Sequence, residues 1–163
     1  MLVNVAGIWH GEDEAYAGKE FEMFSEEVIL ETYSVGITAP ALLAHAMIPL
    51  MSNGSSVLNI SGTFENGGKG WLPYYVSKRA IEDFTVGLAQ EVEEKGIRVN
   101  CISPSDVATE AYKKFFPKYI EDSLAPEAVA EQVLRLCLPG ASDITGKVFM
   151  LKKGQELVES FHH

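Results

Sequence analysis

The sequence predicts an α/β fold in which helices cover both faces of a parallel sheet. Short apolar runs alternate with longer amphipathic stretches along the chain, in the order β-α-β-α-β-α-β. The predicted strands are apolar on both faces, as strands covered by helices on two sides are. The length of 163 residues fits a single domain, which we assign to residues 1–163.

The first predicted strand covers residues 2–8, a short apolar run. The segment from residue 9 to residue 21 is polar and acidic and predicts an exposed loop. Ser25, followed by two glutamates, suits a helix start because a hydroxyl caps free amides and carboxylates favour the positive end of the helix. A long helix is therefore expected over 25–51.

Two residues interrupt this helix, because Gly36 and Pro40 favour a kink or a break between two helical pieces. A second buried strand is predicted at 56–60, followed by a glycine-rich loop. Residues 74–95 predict a strong amphipathic helix with apolar residues along one face and a glycine beyond its end.

The last third of the chain repeats the alternation. A strand is predicted at 97–102, a helical segment at 110–119 and a final strand at 147–151. Pro126 stands where the first turn of another helix would begin, and that helix is expected over 126–138.

Composition and charge exclude several classes of partner. The formal net charge is -10, and such a surface repels phosphate backbones, so nucleic acid is not expected as a partner. No apolar run reaches the roughly 20 residues that a membrane-spanning helix needs. The start of the chain lacks the basic region of a signal peptide. We therefore expect a cytoplasmic protein without a membrane partner.

The two cysteines, Cys101 and Cys137, lie in apolar runs and are expected to be reduced core thiols. Neither stands at zinc-ligand spacing from another cysteine or a histidine, so no metal site is expected. His162 and His163 at the end of the chain are given no function.

Two motifs follow predicted strands. The first strand ends in Asn-Val-Ala-Gly at residues 4–7. Tyr74 and Lys78 form a Tyr-x-x-x-Lys pattern at the start of the helix that follows the second strand, and Ser61 lies upstream, directly after that strand. Residues four apart share one face of a helix, so the phenol and the ammonium group should lie close together.

A third motif, Gly-Ile-Arg-Val-Asn at residues 96–100, leads into the third strand and is followed by Pro104. Ile-Thr-Gly at residues 144–146 precedes the last strand. In this order, and over roughly residues 2–155, these segments resemble the short-chain dehydrogenase/reductase family. A Tyr-x-x-x-Lys alone is a weak signal, whereas the ordered set is specific.

The resemblance implies a partial Rossmann-like, doubly wound sheet and an oxidoreductase that moves a hydride between a carbonyl or alcohol substrate and NAD or NADP, without a metal. The sequence does not choose between the two nucleotides and does not name the substrate. An alternative is a truncated, catalytically inactive relative that acts as a binding or scaffolding protein.

In this resemblance Tyr74 and Lys78 are the catalytic pair. A nearby ammonium group lowers the pKa of a phenol, which suits proton exchange with a substrate oxygen near neutral pH. Ser61 would hydrogen-bond the same oxygen. The spacing to Tyr74 favours Ser61 as the family's catalytic serine, whereas the spacing from Asn59 favours Gly62, in which case the hydroxyl is missing.

Cofactor contacts are implied at the ends of two strands. The resemblance assigns them to these residues: Asn4, Ala6, Gly7, Tyr74, Lys78, Val107 and Thr109. It also places at Gly36 an asparagine that links the lysine to a chain of water molecules in the family, and a glycine cannot supply that side chain. Five apolar or aromatic residues are expected to line an apolar substrate pocket, to fill the core or to form oligomer contacts. They are Trp71, Leu72, Tyr75, Phe115 and Phe116.

A full family member begins with a strand, a glycine-rich turn and a helix that binds pyrophosphate. That pattern is not found in this sequence, which corresponds to a family member from its fourth strand onward. The first strand of the chain should then have an open edge. A further chain that covers this edge is one alternative. The resemblance also implies a homo-oligomer, because the helices at 25–51 and 74–95 build the main dimer interface in the family.

Overall fold

The computed structural model describes residues 1–141 and 143–161, so His162 and His163 lie outside the described residues. The strands are β1 (Leu2–Asn4), β2 (Ser56–Ile60), β3 (Arg98–Pro104), β4 (Lys147–Leu151) and β5 (Val158–Glu159). They form one sheet in the order β1-β2-β3-β4-β5. The first four strands are parallel, and β5 runs antiparallel to β4. The predicted α/β fold is confirmed, and β5 is an addition that the sequence did not indicate.

Five α-helices connect or flank these strands. They are α1 (Glu26–Tyr33), α2 (Ala39–Met47), α3 (Leu72–Glu91), α4 (Glu110–Phe115) and α5 (Pro126–Cys137). The Ser25 hydroxyl accepts a hydrogen bond from the amide of Val28 at 3.3 Å, which confirms the predicted cap of α1. Pro126 opens α5 as predicted.

The core lies on both faces of the sheet because side chains alternate along each strand. Leu58 and Ile60 in β2 pack with Leu136 of α5 on one face. Val57, the residue before Leu58, packs with Ala89 of α3 on the other face. Every residue of β2 and β3 is buried, as expected for central strands of a sheet covered on two sides. Both cysteines are free thiols, as predicted.

The predicted kink in the long helix is a wide turn of π-helix at Ser34–Thr38, between α1 and α2. Gly36 is buried in this turn against α3. A Cβ atom at Gly36 would lie 2.7 Å from Cβ of Ser77, closer than real side chains approach. The asparagine expected from the resemblance would collide with α3 here, so helix packing accounts for the glycine, and the side chain that would serve the proton relay is absent at this position.

Replacing Gly36 with alanine is expected to destabilise the fold. The methyl group collides with a rigid Cβ atom, and overpacking of this kind costs about 1–3 kcal/mol. Gly87 offers a matched control in α3, where an added Cβ meets no described atom within 4 Å. Gly87→Ala should instead stabilise the chain by up to about 1 kcal/mol through helix propensity. Denaturant unfolding of both variants checks this prediction, which fails if the two shifts have the same sign.

The helical stretch Glu26–Leu50 is long and apolar enough, by length and composition alone, to cross a membrane, and 17% of its most apolar window is buried. It exposes several large apolar side chains: Leu30, Leu42, Leu43, Met47 and Leu50. Polar residues interrupt this stretch, so it contains no uninterrupted apolar run of membrane-spanning length. The expectation that the protein has no membrane partner stays a prediction.

Candidate active site

Tyr74 and Lys78 lie in the first two turns of α3, which Pro73 opens. Nζ of Lys78 is 5.3 Å from the centroid of the Tyr74 ring, so the expected proximity of the pair is present. Lys78 is 3% exposed, and its Nζ donates a hydrogen bond of 3.0 Å to the carbonyl oxygen of Ile60 at the end of β2. The strand end therefore fixes the ammonium group beneath the tyrosine ring.

The pKa values of the pair differ from the sequence-based expectation. Burial raises the pKa of Tyr74, and the negative charge of Asp106 raises it further. Burial lowers the pKa of Lys78 to about 8. The expected lowering of the tyrosine pKa is therefore wrong for this chain, because burial disfavours the charged phenolate and Asp106 repels it. Tyr74 stays protonated near neutral pH and is able to donate a proton.

Ser61 faces the side of α3. Its Oγ lies 2.6 Å from Oε1 of Glu82 and 2.9 Å from the carbonyl oxygen of Lys78, so its proton is used within the protein. Glu82 is fully buried, and its other oxygen accepts a hydrogen bond from Arg79 at 3.0 Å. The structure therefore places Ser61 in a buried network that fixes the end of β2 on α3.

Gly62 is the other position that the sequence left open. A Cβ atom there would have Phe64 as its nearest neighbour, at an ordinary contact distance of 3.6 Å. A side chain would therefore fit at Gly62, and the chain has none. The surroundings of Ser61 favour Gly62 as the position of the family's serine.

Replacing Ser61 with alanine is expected to lower the free energy of unfolding by about 2 kcal/mol, because the buried carboxylate of Glu82 loses a hydrogen-bond donor. Ser52 is an exposed serine, and Ser52→Ala should change stability by less than about 0.5 kcal/mol. Chemical denaturation of both variants measures the difference. An unchanged stability in Ser61→Ala would show that the hydroxyl has no structural role.

The predicted cofactor residues at the end of β1 divide into two groups. Asn4 is buried, and its side-chain amide donates to Oδ1 of Asn59 at 2.7 Å, so it ties β1 to β2. Ala6 is exposed. Gly7 approaches Tyr74 and Lys78: a Cβ atom there would lie 2.9 Å from Nζ of Lys78 and 3.5 Å from the ring of Tyr74. Only a glycine leaves this space open.

Val107 and Thr109 lie in the segment that follows β3. The Val107 side chain packs against the core, and its carbonyl accepts a hydrogen bond from the amide of Thr109 at 2.7 Å. The Thr109 hydroxyl caps α4 by accepting from the amide of Tyr112 at 3.2 Å, which leaves its own proton uncommitted in that bond. Asp106 lies close enough to raise the pKa of Tyr74, so this segment borders the pair.

Sequence reasoning missed a residue of this region. The sequence predicts an exposed loop that begins at Trp9. The ring of Trp9 instead packs on the rings of four other residues, Trp71, Tyr112, Phe115 and Phe116. We call these five residues the aromatic cluster. The prediction of an exposed loop is wrong at its beginning, and the signal available was a large aromatic directly after a strand. Three predicted pocket residues belong to the cluster, whereas Tyr75 contacts Phe64 and Arg79 instead.

A shallow cavity of about 280 Å³ opens at the outer edge of β1. It is lined by Val3, Asn4, Val5, Ala6, Val35, Ala39, Pro40 and Leu43. Among the described residues no other strand pairs with this edge of β1. The open edge expected from the sequence is therefore present.

Metal ligands are not gathered in the part of the chain that the structure describes, where no group of three or more histidine, cysteine, aspartate or glutamate side chains could hold an ion. Nδ1 of His10 lies 2.7 Å from the carbonyl oxygen of Gly11, and its ring stacks near Phe115. His45 is exposed on α2.

Comparison with known proteins gives a consistent family of relatives. Residues 1–156 match a family model described as enoyl-(acyl carrier protein) reductase. Dehydrogenase/reductase SDR family member 4 of Homo sapiens is 33% identical over 144 residues, which cover 80% of this chain and 52% of that protein. The chain thus spans about half the length of the curated relatives it matches.

Solved structures of the same fold bind nicotinamide nucleotides. The 3-ketoacyl-(acyl-carrier-protein) reductase from Brucella melitensis, complexed with NADH, is 26% identical with a TM-score of 0.80 and covers 94% of this chain and 65% of its own. A short chain dehydrogenase from Burkholderia cenocepacia in complex with NADP has a TM-score of 0.81 at 22% identity, with coverage of 94% and 64%. At that identity the second likeness concerns the fold alone.

Proposed function

Because the chain belongs to the short-chain dehydrogenase/reductase family, we propose that it carries the catalytic part of an oxidoreductase that interconverts a carbonyl group and an alcohol with NAD or NADP. The observation that supports this most is the Tyr74–Lys78 pair, which lies against the backbone of Gly7 at the carboxyl end of β1. Ligands of open parallel sheets bind at that end of the strands.

The residues present fit the nicotinamide part of such a cofactor. Gly7 leaves space beside Tyr74 and Lys78 that any larger residue would fill. Thr109, whose hydroxyl caps α4, and Val107, whose carbonyl accepts from the amide of Thr109, lie next to Asp106, which acts on Tyr74. When bound, a reduced nicotinamide supplies the hydride that the substrate carbon accepts.

Tyr74 donates the proton that the substrate oxygen needs when a carbonyl becomes an alcohol. Its raised pKa keeps the phenol protonated before the reaction. Lys78 carries a positive charge below a pKa of about 8 and stabilises the phenolate that remains after the proton has left. In the reduction of a carbonyl group, Tyr74 is therefore the acid, and Lys78 supplies the positive charge that stabilises its phenolate.

A second candidate function is a non-catalytic binding protein of the same family. Gly62 supplies no hydroxyl to the substrate oxygen, and Ser61 is engaged with Glu82. Loss of one such hydrogen-bond donor lowers rates by about a hundredfold to a thousandfold in enzymes that depend on it. The two functions differ in whether the chain turns over a ketone once nucleotide is bound.

Titration of the chain with NADH and with NADPH tests the proposal. Saturating nucleotide should raise stability by about 2.7 kcal/mol at a hundredfold excess over its dissociation constant. Lys78→Met should reduce the stabilisation by nucleotide. Lys95→Met, at an exposed position in the turn after α3, should leave it unchanged. Ketone reduction by the complex supports the enzyme, and binding without turnover supports the second candidate. No binding at millimolar nucleotide would show that the chain alone is not a working dehydrogenase.

The proposed assembly is a homo-oligomer in the cytoplasm, without nucleic acid or membrane partners. The apolar residues exposed on α1 and α2 support the oligomer, since such patches often mark contact surfaces between proteins. A further chain that pairs with the edge of β1 would complete the sheet. Light scattering that shows a monomer at high micromolar concentration would argue against the oligomer.

A further inference from the structure

The aromatic cluster joins three segments of the chain at the carboxyl edge of the sheet. Trp9, from the segment after β1, contacts each of the other four rings of the cluster. Its ring centroid lies 6.5 Å from that of Trp71, 6.2 Å from Tyr112, 6.0 Å from Phe115 and 5.9 Å from Phe116. Phe116 lies 5.7 Å from Trp71 and 5.3 Å from Tyr112.

The cluster adjoins the proposed proton donor. The centroids of Trp71 and Tyr74 are 6.3 Å apart, so the cluster begins one ring away from the reacting group. Each of the five side chains is half-buried and keeps part of its surface open. The five rings are therefore not part of the closed core, and apolar and aromatic side chains predominate in the lining of ligand sites.

The charges around the cluster disfavour anions. The Tyr112 hydroxyl donates to the carboxylate of Asp106, which holds a negative charge at the edge of the cluster. The two lysines of α4 are engaged: Lys113 pairs with Glu110 at 2.7 Å and Lys114 with Asp13 at 3.6 Å. The whole chain has a net charge of -10.

We infer that the aromatic cluster is the substrate subsite of this chain and that it selects neutral, planar aromatic carbonyl compounds and the corresponding alcohols. Flat rings stack on the tryptophan and phenylalanine faces, and the carbonyl group then lies beside Tyr74. A carboxylate on the ligand is repelled by Asp106. The carbonyl part of this inference rests on the proposed function, whereas the preference for planar neutral rings rests on the cluster itself.

Calorimetric titration with 2-acetylnaphthalene, compared with cyclohexyl methyl ketone, tests the subsite without any nucleotide. The planar ketone should bind saturably and more tightly than the saturated one. Trp9 and Trp71 are the two tryptophans of the sequence, so quenching of tryptophan fluorescence locates the ligand at the cluster. Non-saturable binding, or equal affinity for the two ketones, would overturn the inference.

Phe116→Leu keeps an apolar side chain of similar size and removes a ring that contacts Trp9, Trp71 and Tyr112. It should weaken the binding of 2-acetylnaphthalene about threefold to tenfold. Phe21→Leu, at an exposed ring outside the cluster, should leave the affinity unchanged. Near-UV circular dichroism reports whether the cluster is still ordered, and Trp9→Leu provides a second variant if Phe116→Leu does not fold. A folded variant with full affinity would contradict the assignment.

Asp106→Asn tests the charge selection. The variant should bind 6-acetyl-2-naphthoate about fivefold more tightly than the wild type, since one unit charge a few ångströms away contributes about 1 kcal/mol in water. Its affinity for the neutral ketone should change less than its affinity for the acid. An unchanged affinity for the acid would overturn the role of Asp106. Because none of these measurements needs NADH or NADPH, their failure is distinguishable from a failure of the proposed dehydrogenase function.

Discussion

Replacing Tyr74 with phenylalanine is expected to lower the rate of ketone reduction about a hundredfold to ten-thousandfold, the usual contribution of a positioned general acid. The change removes the hydroxyl alone. The ring contacts with Phe64 and Trp71, at 5.9 Å and 6.3 Å between centroids, remain. The melting temperature should therefore stay close to that of the wild type while turnover of the nucleotide complex disappears.

Tyr75→Phe provides the matched control for this prediction. Tyr75 is the next residue of α3, and its ring packs on Phe64 at 5.1 Å and near Arg79 at 5.3 Å. Rates of nucleotide oxidation with a ketone, measured for both variants at equal saturation, separate the two positions. An equal loss in both variants, or a normal rate in Tyr74→Phe, would remove Tyr74 from the mechanism.

Replacing Arg98 with methionine is expected to lower the free energy of unfolding by about 3 kcal/mol or more. Arg98 is 6% exposed in β3, and its guanidinium group donates to the carbonyl oxygens of Leu136 at 2.5 Å, Cys137 at 3.0 Å and Ala141 at 3.0 Å. The carbonyls of Leu136 and Cys137 end α5, where the helix dipole favours a positive charge, and Ala141 lies in the turn that follows. Each charged hydrogen bond contributes about 1.5–3 kcal/mol, and buried acceptors left without donors add to the loss.

Arg135→Met is the control for charge and volume. Arg135 lies on the exposed side of α5, and its replacement should change stability by less than about 0.5 kcal/mol. Urea unfolding of both variants gives the two free energies. A small effect of Arg98→Met would mean that the carbonyl groups at the end of α5 find other hydrogen-bond donors.

Much of the fold could be predicted because local patterns determined it. The strands that begin near residues 2, 56, 98 and 147, the Ser25 cap and the start of α5 at Pro126 all follow from apolar runs and capping residues. The short strand β5 could not be predicted in the same way. Its residues pair with β4 only after the turn at Gly154, and their sequence has no apolar alternation.

The candidate site was harder to predict because it depends on side-chain direction. Strand alternation contained a usable signal for Ser61: Asn59 bonds to Thr85 of α3, so the residue two places later faces α3 as well. The direction of the pKa shift at Tyr74 needs the burial of the ring, which no motif encodes. Trp9 was missed because the polar residues around it hide a contact that forms only in the tertiary structure.

The strand order has a consequence for how the chain would be controlled. Strands β1 to β4 follow one another across the described sheet without reversal. In open α/β sheets the dinucleotide occupies the topological switch point, where the order of strands reverses. A strand that joined the outer edge of β1 would create that reversal in the described sheet. Nucleotide affinity would then depend on whether the edge of β1 is paired.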